Sequence, residues 1–190
     1  MSNQQKQQKV PSKIATEAFD WVESVVFALV LVILIFTFVF RIVIVQGPSM
    51  EDTLHEHDRI ILSNLFYTPK RGDIVVISKP HVENLDKPII KRVIAVAGQT
   101  VDIDFDEGVV SVDGEALDES YAKTPTTNRE SMESAQTVPE NHVFVMGDNR
   151  NQSRDSRDAT IGMVDIRYVQ GHTVFRIFPF TGTKGLSYEY

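Results

Sequence analysis

The chain has 190 residues, enough for one domain with an appendage, and a formal net charge of −7. Lys6, Lys9 and Lys13 ahead of the first apolar run are cancelled by Glu17, Asp20 and Glu23, so the excess acid lies after that run and argues against nucleic-acid binding. There is no cysteine, which excludes a disulfide framework, a thiol nucleophile and cysteine-held zinc.

Residues 1–20, opening "MSNQQKQQKVPSK", read as a polar cytoplasmic tail. Residues 21–45, "WVESVVFALVLVILIFTFVFRIVIV", read as a transmembrane anchor. As a helix, Val25 to Val45 would span about 32 Å at ~1.5 Å per residue, against a hydrocarbon core of ~30 Å. In lipid a single segment satisfies its backbone only as a helix. A cleaved signal peptide would have a shorter apolar stretch and small residues at a cut site, and "RIVIVQGP" offers none. Only Arg41 follows closely behind the run, so the positive-inside rule puts the N-terminus in the cytoplasm and residues 46–190 outside it. The lipid bilayer is therefore one expected partner.

Beyond Arg59 the pattern turns to strands. "RIILSNLFY", "DIVVIS" and "KPIIKRVIAVAG" are short and rich in β-branched residues, with "TPKRGD" as a Pro/Gly turn between the first two. "TVDIDFDEGVVSVDGEAL" alternates apolar and polar residues around Glu107-Gly108 and Asp113-Gly114, and reads as a hairpin. Tyr121 to Pro139 is polar and aperiodic, an exposed loop or part of a small lobe over about 102–140. "HVFVM" and "TVFRIFPF" supply further strands. The expected fold is mainly β and mostly antiparallel, behind one N-terminal transmembrane helix.

Three places could carry chemistry. On the strand 89–96, Lys91 shares a face with Ile89, Val93 and Ala95, and Arg92 shares the other with Ile90, Ile94 and Val96. A desolvated lysine loses proton affinity and becomes a usable base, whereas Arg92 stays charged and needs a carboxylate. Seen alone, the segment also fits an edge strand with both cations in solvent. Ser49 in "GPSM" follows the anchor; it needs a base to become a nucleophile, and Gly47 leaves backbone N–H groups uncrowded for an oxyanion. Alone, it is a turn serine. "GDNRNQSRDSR", residues 147–157, is either a solvated salt-bridged turn or a loop folded against the Lys91 strand with Ser153 or Ser156 near the amine. "HEHD", residues 55–58, imitates a metal site, or a triad of His57, Ser49 and Asp58, but reads as surface histidines.

Together these segments resemble the bacterial type I signal peptidases, of the small Gram-positive kind. That family has an anchor, a Ser-Met box, a Lys-Arg-Val-x-Ala-x-x-Gly strand and a Gly-Asp-Asn-x-x-x-Ser-x-Asp-Ser-Arg box. They stand here as "GPSMEDTL" (47–54), "KRVIAVAG" (91–98) and "GDNRNQSRDSR" (147–157), in that order, within a likeness covering about residues 20–180. The resemblance implies a signal-peptidase-type β domain and a Ser/Lys endopeptidase that cuts signal peptides from exported preproteins after a small-x-small motif. It implies Ser49 as nucleophile, Lys91 as general base and Ser153 as the serine that orients the lysine. Asp155 and Arg157 would be structural, and Asp148 a partner for Arg92 or Arg157. Val45, Met50, Leu54, Ile89 and Ile90 would line shallow pockets for the small residues before the scissile bond.

Some members carry a serine two places before the nucleophile; here it is Gly47, which leaves the oxyanion to backbone N–H groups, that of Ser49 included. Asp52 stands where many members have proline, and Gln99 where aspartate usually follows the glycine. No metal or organic cofactor is implied. Partners would be preprotein signal peptides, the bilayer and the protein-export machinery. The competing readings are a self-cleaving repressor, which would need a DNA-binding domain in place of an anchor, and a non-enzymatic anchored adaptor, which would have no need of Ser49 and Lys91.

Overall fold

The helix and the β domain come from different stretches of sequence and divide at Val39/Phe40 into two units. The computed structural model of the chain describes residues 13–79, 87–180 and 186. The expected tail up to residue 12 lies outside them.

The helix α1 runs Lys13–Phe38, and within it Thr16–Thr37 is long and apolar enough to cross a membrane. Those 22 residues span about 33 Å at ~1.5 Å per residue. The helix stops seven residues short of the expected end. Phe40–Ile44 instead forms strand β1, paired antiparallel with β2 (Arg59–Ser63) from Phe40 opposite Ser63 to Ile44 opposite Arg59. Ile42, Val43 and Ile44 are β-branched and suit either state; a complementary strand satisfies their backbone and settles the matter.

The remaining strands are β3 (Ile74–Ile77), β4 (Ile89–Val96), β5 (Thr100–Asp104), β6 (Val109–Val112), β7 (Glu115–Ala116), β8 (Gln136–Thr137), β9 (His142–Met146), β10 (Val164–Asp165) and β11 (Val169–Phe178). Seven form one sheet in the order β1-β2-β11-β3-β4-β9-β10, and four form a second in the order β7-β6-β5-β8. Every pair is antiparallel. The second sheet lies between Thr100 and Thr137, over the stretch expected as a loop or small lobe. Its strands alternate buried and solvent-facing residues, as Val101 and Ile103 do against Asp102 and Asp104.

The apolar faces close three clusters. Ile94, Phe144 and Met146 of the large sheet pack with Val101, Val110 and Val112 of the small one. Val75, Val93 and Val145 lie in a second, and Ile60, Leu62, Ile74 and Ile90 in a third. A bulge between Val93 and Ala95 breaks the expected alternation on β4, so Ile94 and Ala95 enter the same cluster. Lys91 and Ala95 therefore do not share a face as strict pleating requires.

Candidate active site

β4 lies between β3 and β9, with Lys91 opposite Val75 and Arg92 opposite both Ile74 and Met146. β4 is an interior strand whose faces are covered at this point, and Lys91 is 3% and Arg92 0% exposed. The edge-strand reading of these two cations is thereby excluded.

Residues 45–58 reach the lysine from the end of β1. The turn passes through Gly47 at φ +78°; a Cβ there would meet nothing within 4 Å, so the backbone conformation rather than space asks for glycine. Glu51 N–H donates to the Pro48 carbonyl and Leu54 N–H to the Met50 carbonyl. These bonds turn Met50 and Leu54 inward, where they are buried with Val45 in the Ile60 and Leu62 cluster. Ser49 sits between these anchors, and Lys91 Nζ donates to its Oγ at 2.7 Å. The amine's other bond is to its neighbour's carbonyl, Ile90 O, at 3.0 Å. Burial pulls the lysine down from an ordinary 10.5 to about 8, against the opposing pull of Asp155 and Asp148, with Arg157 adding to the fall.

The loop after β9 surrounds this pair with buried charge. Asp148 takes a two-pronged bond from Arg92, at 2.9 Å from Nε and 2.7 Å from Nη2, and a further bond from Thr53 Oγ1. Arg92 Nη1 donates to Gly72 O at 2.8 Å, and the Tyr121 ring lies 4.2 Å from the guanidinium carbon. Of the two expected partners, Asp148 takes Arg92. Asp155 is held by Arg157 in the same forked way, at 2.8 and 2.9 Å, and accepts from Gly147 N–H at 3.0 Å. Arg157 Nη2 also donates to Arg150 O. Arg150, fully buried, donates to Gly147 O and Thr126 Oγ1 and pairs with Glu119 at 2.6 Å. The loop is salt-bridged, as one reading of "GDNRNQSRDSR" had it, but as interior structure rather than a solvated turn.

Ser153 lies beside the dyad. A Cβ on Gly147 would collide with both the Ser153 hydroxyl and the Ser49 carbonyl, which explains the glycine. The Ser153 hydroxyl donates to Asp155 Oδ2 at 2.7 Å, while the Lys91 bonds go to Ser49 and Ile90. The expected direct bond from Ser153 to the lysine is replaced by one to the carboxylate that acts on the lysine's charge. Ser156 caps the β9 end through the Val145 N–H.

His55 and His57 are exposed, and Asp58 is buried and accepts from Arg176 Nη1 and His55 N–H, so no triad forms with Ser49. Among the described residues no cluster of three or more histidines and carboxylates is placed to hold a metal.

A groove of about 550 Å³ opens at the dyad. Ile42, Val43 and Ile44 of the unpaired edge of β1 line it with Pro88, Ile89 and Ile90, and Ser49 and Lys91 are part of its lining. The expected pocket set therefore divides. Ile89 and Ile90 line the groove, Ile90 while also packed in the core cluster; Val45, Met50 and Leu54 belong to that cluster alone and hold the nucleophile turn. Ile42, Val43, Ile44 and Gln46 were not expected there, because the sequence reads as helix up to Val45.

The sequence pattern of the family described as "Signal peptidase, peptidase S26" matches residues 18–178. Signal peptidase I of Bacillus licheniformis is 35% identical over 172 residues, covering 85% of this chain and 89% of that one. Signal peptidase I S of Bacillus subtilis (strain 168) is 33% identical over 172 residues, with coverages of 85% and 89%. A solved signal peptidase I from Enterococcus faecalis V583 superposes with a TM-score of 0.43 at 30% identity, over 56% of this chain and 97% of that one.

Proposed function

The chain belongs to the signal peptidase family, peptidase S26, and is a serine endopeptidase acting on the signal peptides of preproteins; from that premise we propose that Ser49 and Lys91 are its catalytic dyad. The observation that carries this is the 2.7 Å bond between Ser49 Oγ and a buried Lys91 whose proton affinity burial lowers to about 8.

The substrate strand lies in the groove against the open edge of β1, where main-chain bonds hold it and the branched side chains of Ile89 and Ile90 would suit small residues beside them. This favours cleavage after a small-x-small motif. Neutral Lys91 takes the Ser49 proton as Oγ attacks the scissile carbonyl, and the oxyanion is met by backbone N–H groups, chiefly that of Ser49, which has no bond among the described residues. The lysine returns the proton to the departing amine, which leaves Ser49 esterified by the signal peptide. Lys91 then deprotonates a water that attacks the ester and restores the serine. Serine, lysine and water balance every step.

The helix makes this a membrane-anchored protein, and the lysines before it favour a cytoplasmic N-terminus with the β domain on the outer face. Along the chain the nucleophile follows Phe38 by only eleven residues, which suits a substrate cut close to where it leaves the bilayer. The test is cleavage of a purified preprotein by the detergent-solubilised chain, with the cut mapped by mass spectrometry. Ser49→Ala and Lys91→Ala should each lose activity by at least about a thousandfold. Turnover surviving in Lys91→Ala refutes the dyad, and inactivity of the folded wild type favours an adaptor.

A further inference from the structure

We propose that Asn149 is a positioning residue that aims the Ser49 N–H at the developing oxyanion by holding the Pro48 carbonyl. This rests on the proposed role of that N–H in the dyad mechanism and extends it to a residue to which no role has been given above.

Asn149 precedes the 3-10 turn Arg150–Gln152 in the N-cap position, yet its side chain makes no cap bond. An asparagine there ordinarily spends its side-chain oxygen on its own helix. Here the amide reaches back 101 positions, and Nδ2 donates to Pro48 O at 3.1 Å. The atom assignment follows from chemistry, because a carbonyl oxygen only accepts and must face the amide nitrogen. The Asn149 backbone N–H donates to the next carbonyl, Ser49 O, at 3.0 Å. Two successive carbonyls of the nucleophile turn are thus drawn toward one residue, itself only 4% exposed.

The Pro48–Ser49 peptide is trans, so its C=O and N–H lie in one plane and point in opposite directions. Turning the Pro48 oxygen toward Asn149 therefore turns the Ser49 N–H away from it. The support is rigid: Asp148 on one side is locked to Arg92, and Arg150 on the other is tied to Gly147 O. Asn149 touches none of the reacting atoms and acts through the peptide it holds.

Asn149→Ala keeps the backbone bond to Ser49 and removes one of the two bonds on the Pro48 carbonyl, leaving that from the Glu51 N–H. In detergent-solubilised full-length enzyme with a fluorogenic signal-peptide substrate, kcat should fall roughly tenfold to a hundredfold, below the ~10²–10³ of losing an oxyanion donor outright. KM should stay within about twofold, as expected for an interaction felt only in the transition state. The acid limb of the pH–rate profile should stay in place, because the lysine is untouched. Asn149→Asp keeps the shape but turns an acceptor on the Pro48 oxygen; as a buried carboxylate without a donor it should melt below the wild type, and while still folded at the assay temperature it should lose at least as much kcat. Wild-type kcat in either variant overturns the proposal, as does a loss confined to KM or one explained by a shifted pH limb. Two variants that fail to fold also overturn it, in favour of a purely structural asparagine. Lys91→Ala run alongside separates the readings: activity there sinks the dyad, whereas an inactive Lys91→Ala beside fully active Asn149 variants sinks only the positioning role.

Discussion

Lys91 and Arg92 are neighbours on one interior strand, equally cut off from water, and their surroundings treat their charges in opposite ways. The Arg92 guanidinium meets the Asp148 carboxylate in a fork, a carbonyl at Gly72 and the face of Tyr121. The Lys91 amine meets a hydroxyl and a carbonyl, while the carboxylate it faces across the loop, Asp155, is spent on Arg157, Ser153 and Gly147 N–H. A buried lysine with no carboxylate bonded to it gives up its proton more easily, whereas a guanidinium keeps its charge by its own chemistry and, once buried, needs a partner. One loop, Gly147–Arg157, arranges both outcomes by directing its two carboxylates to the arginines.

The largest break in this contrast is Lys91→Met, which should abolish cleavage, by about a thousandfold or more, and yet raise thermal stability. The folded-state value of about 8 lies below the ordinary 10.5, so between those pH values the unfolded chain holds the extra proton and wild-type stability rises with pH. Below pH 8 the buried ammonium costs on the order of 3 kcal/mol, which Lys91→Met removes. Urea unfolding of both proteins from pH 7 to 10.5 should show a slope in the wild type that is missing in the variant; parallel curves would mean that the lysine is not desolvated.

Arg92→Met attacks the other side of the contrast and should cost about 3–5 kcal/mol, because Asp148 is left buried without its partner. Adding Asp148→Leu should recover most of that loss in chemical denaturation. If the double variant is no more stable than the single one, the cost lies elsewhere than in the stranded carboxylate.

A subtler change sharpens the comparison. The wild-type kcat/KM should climb through an acid limb with an apparent pKa of about 8, and Asp155→Asn should move that limb downward, since the Asp155 charge is the leading influence holding the lysine's affinity up. An upward move would reverse the assigned electrostatics. The smallest effect belongs to His57→Ala, which should leave kcat/KM within about twofold, since the ring is exposed and has no bond to Ser49.

Local patterns in the chain were enough for the apolar helix, the alternating hairpin at 100–112 and the three spaced boxes, because each depends on residues close together in sequence. The helix end was not legible: "FRIVI" suits a lipid-embedded helix and a strand equally, and only the partner at Arg59–Ser63 decided between them. Met50 and Leu54 are as apolar as Ile89 and Ile90, yet only the second pair lines the groove, Ile90 doing so from within the core cluster that holds Met50 and Leu54. Asp148 and Asp155 are chemically alike, yet Asp155 takes Arg157 two positions on, whereas only the fold brings Arg92 to Asp148 from 56 positions away. Residue type and spacing state what a group is able to do. For Ser49 with Lys91, Arg92 with Asp148 and Asn149 with Pro48, the partner lies 42 to 101 positions away, and those contacts exist only once the sheet has closed.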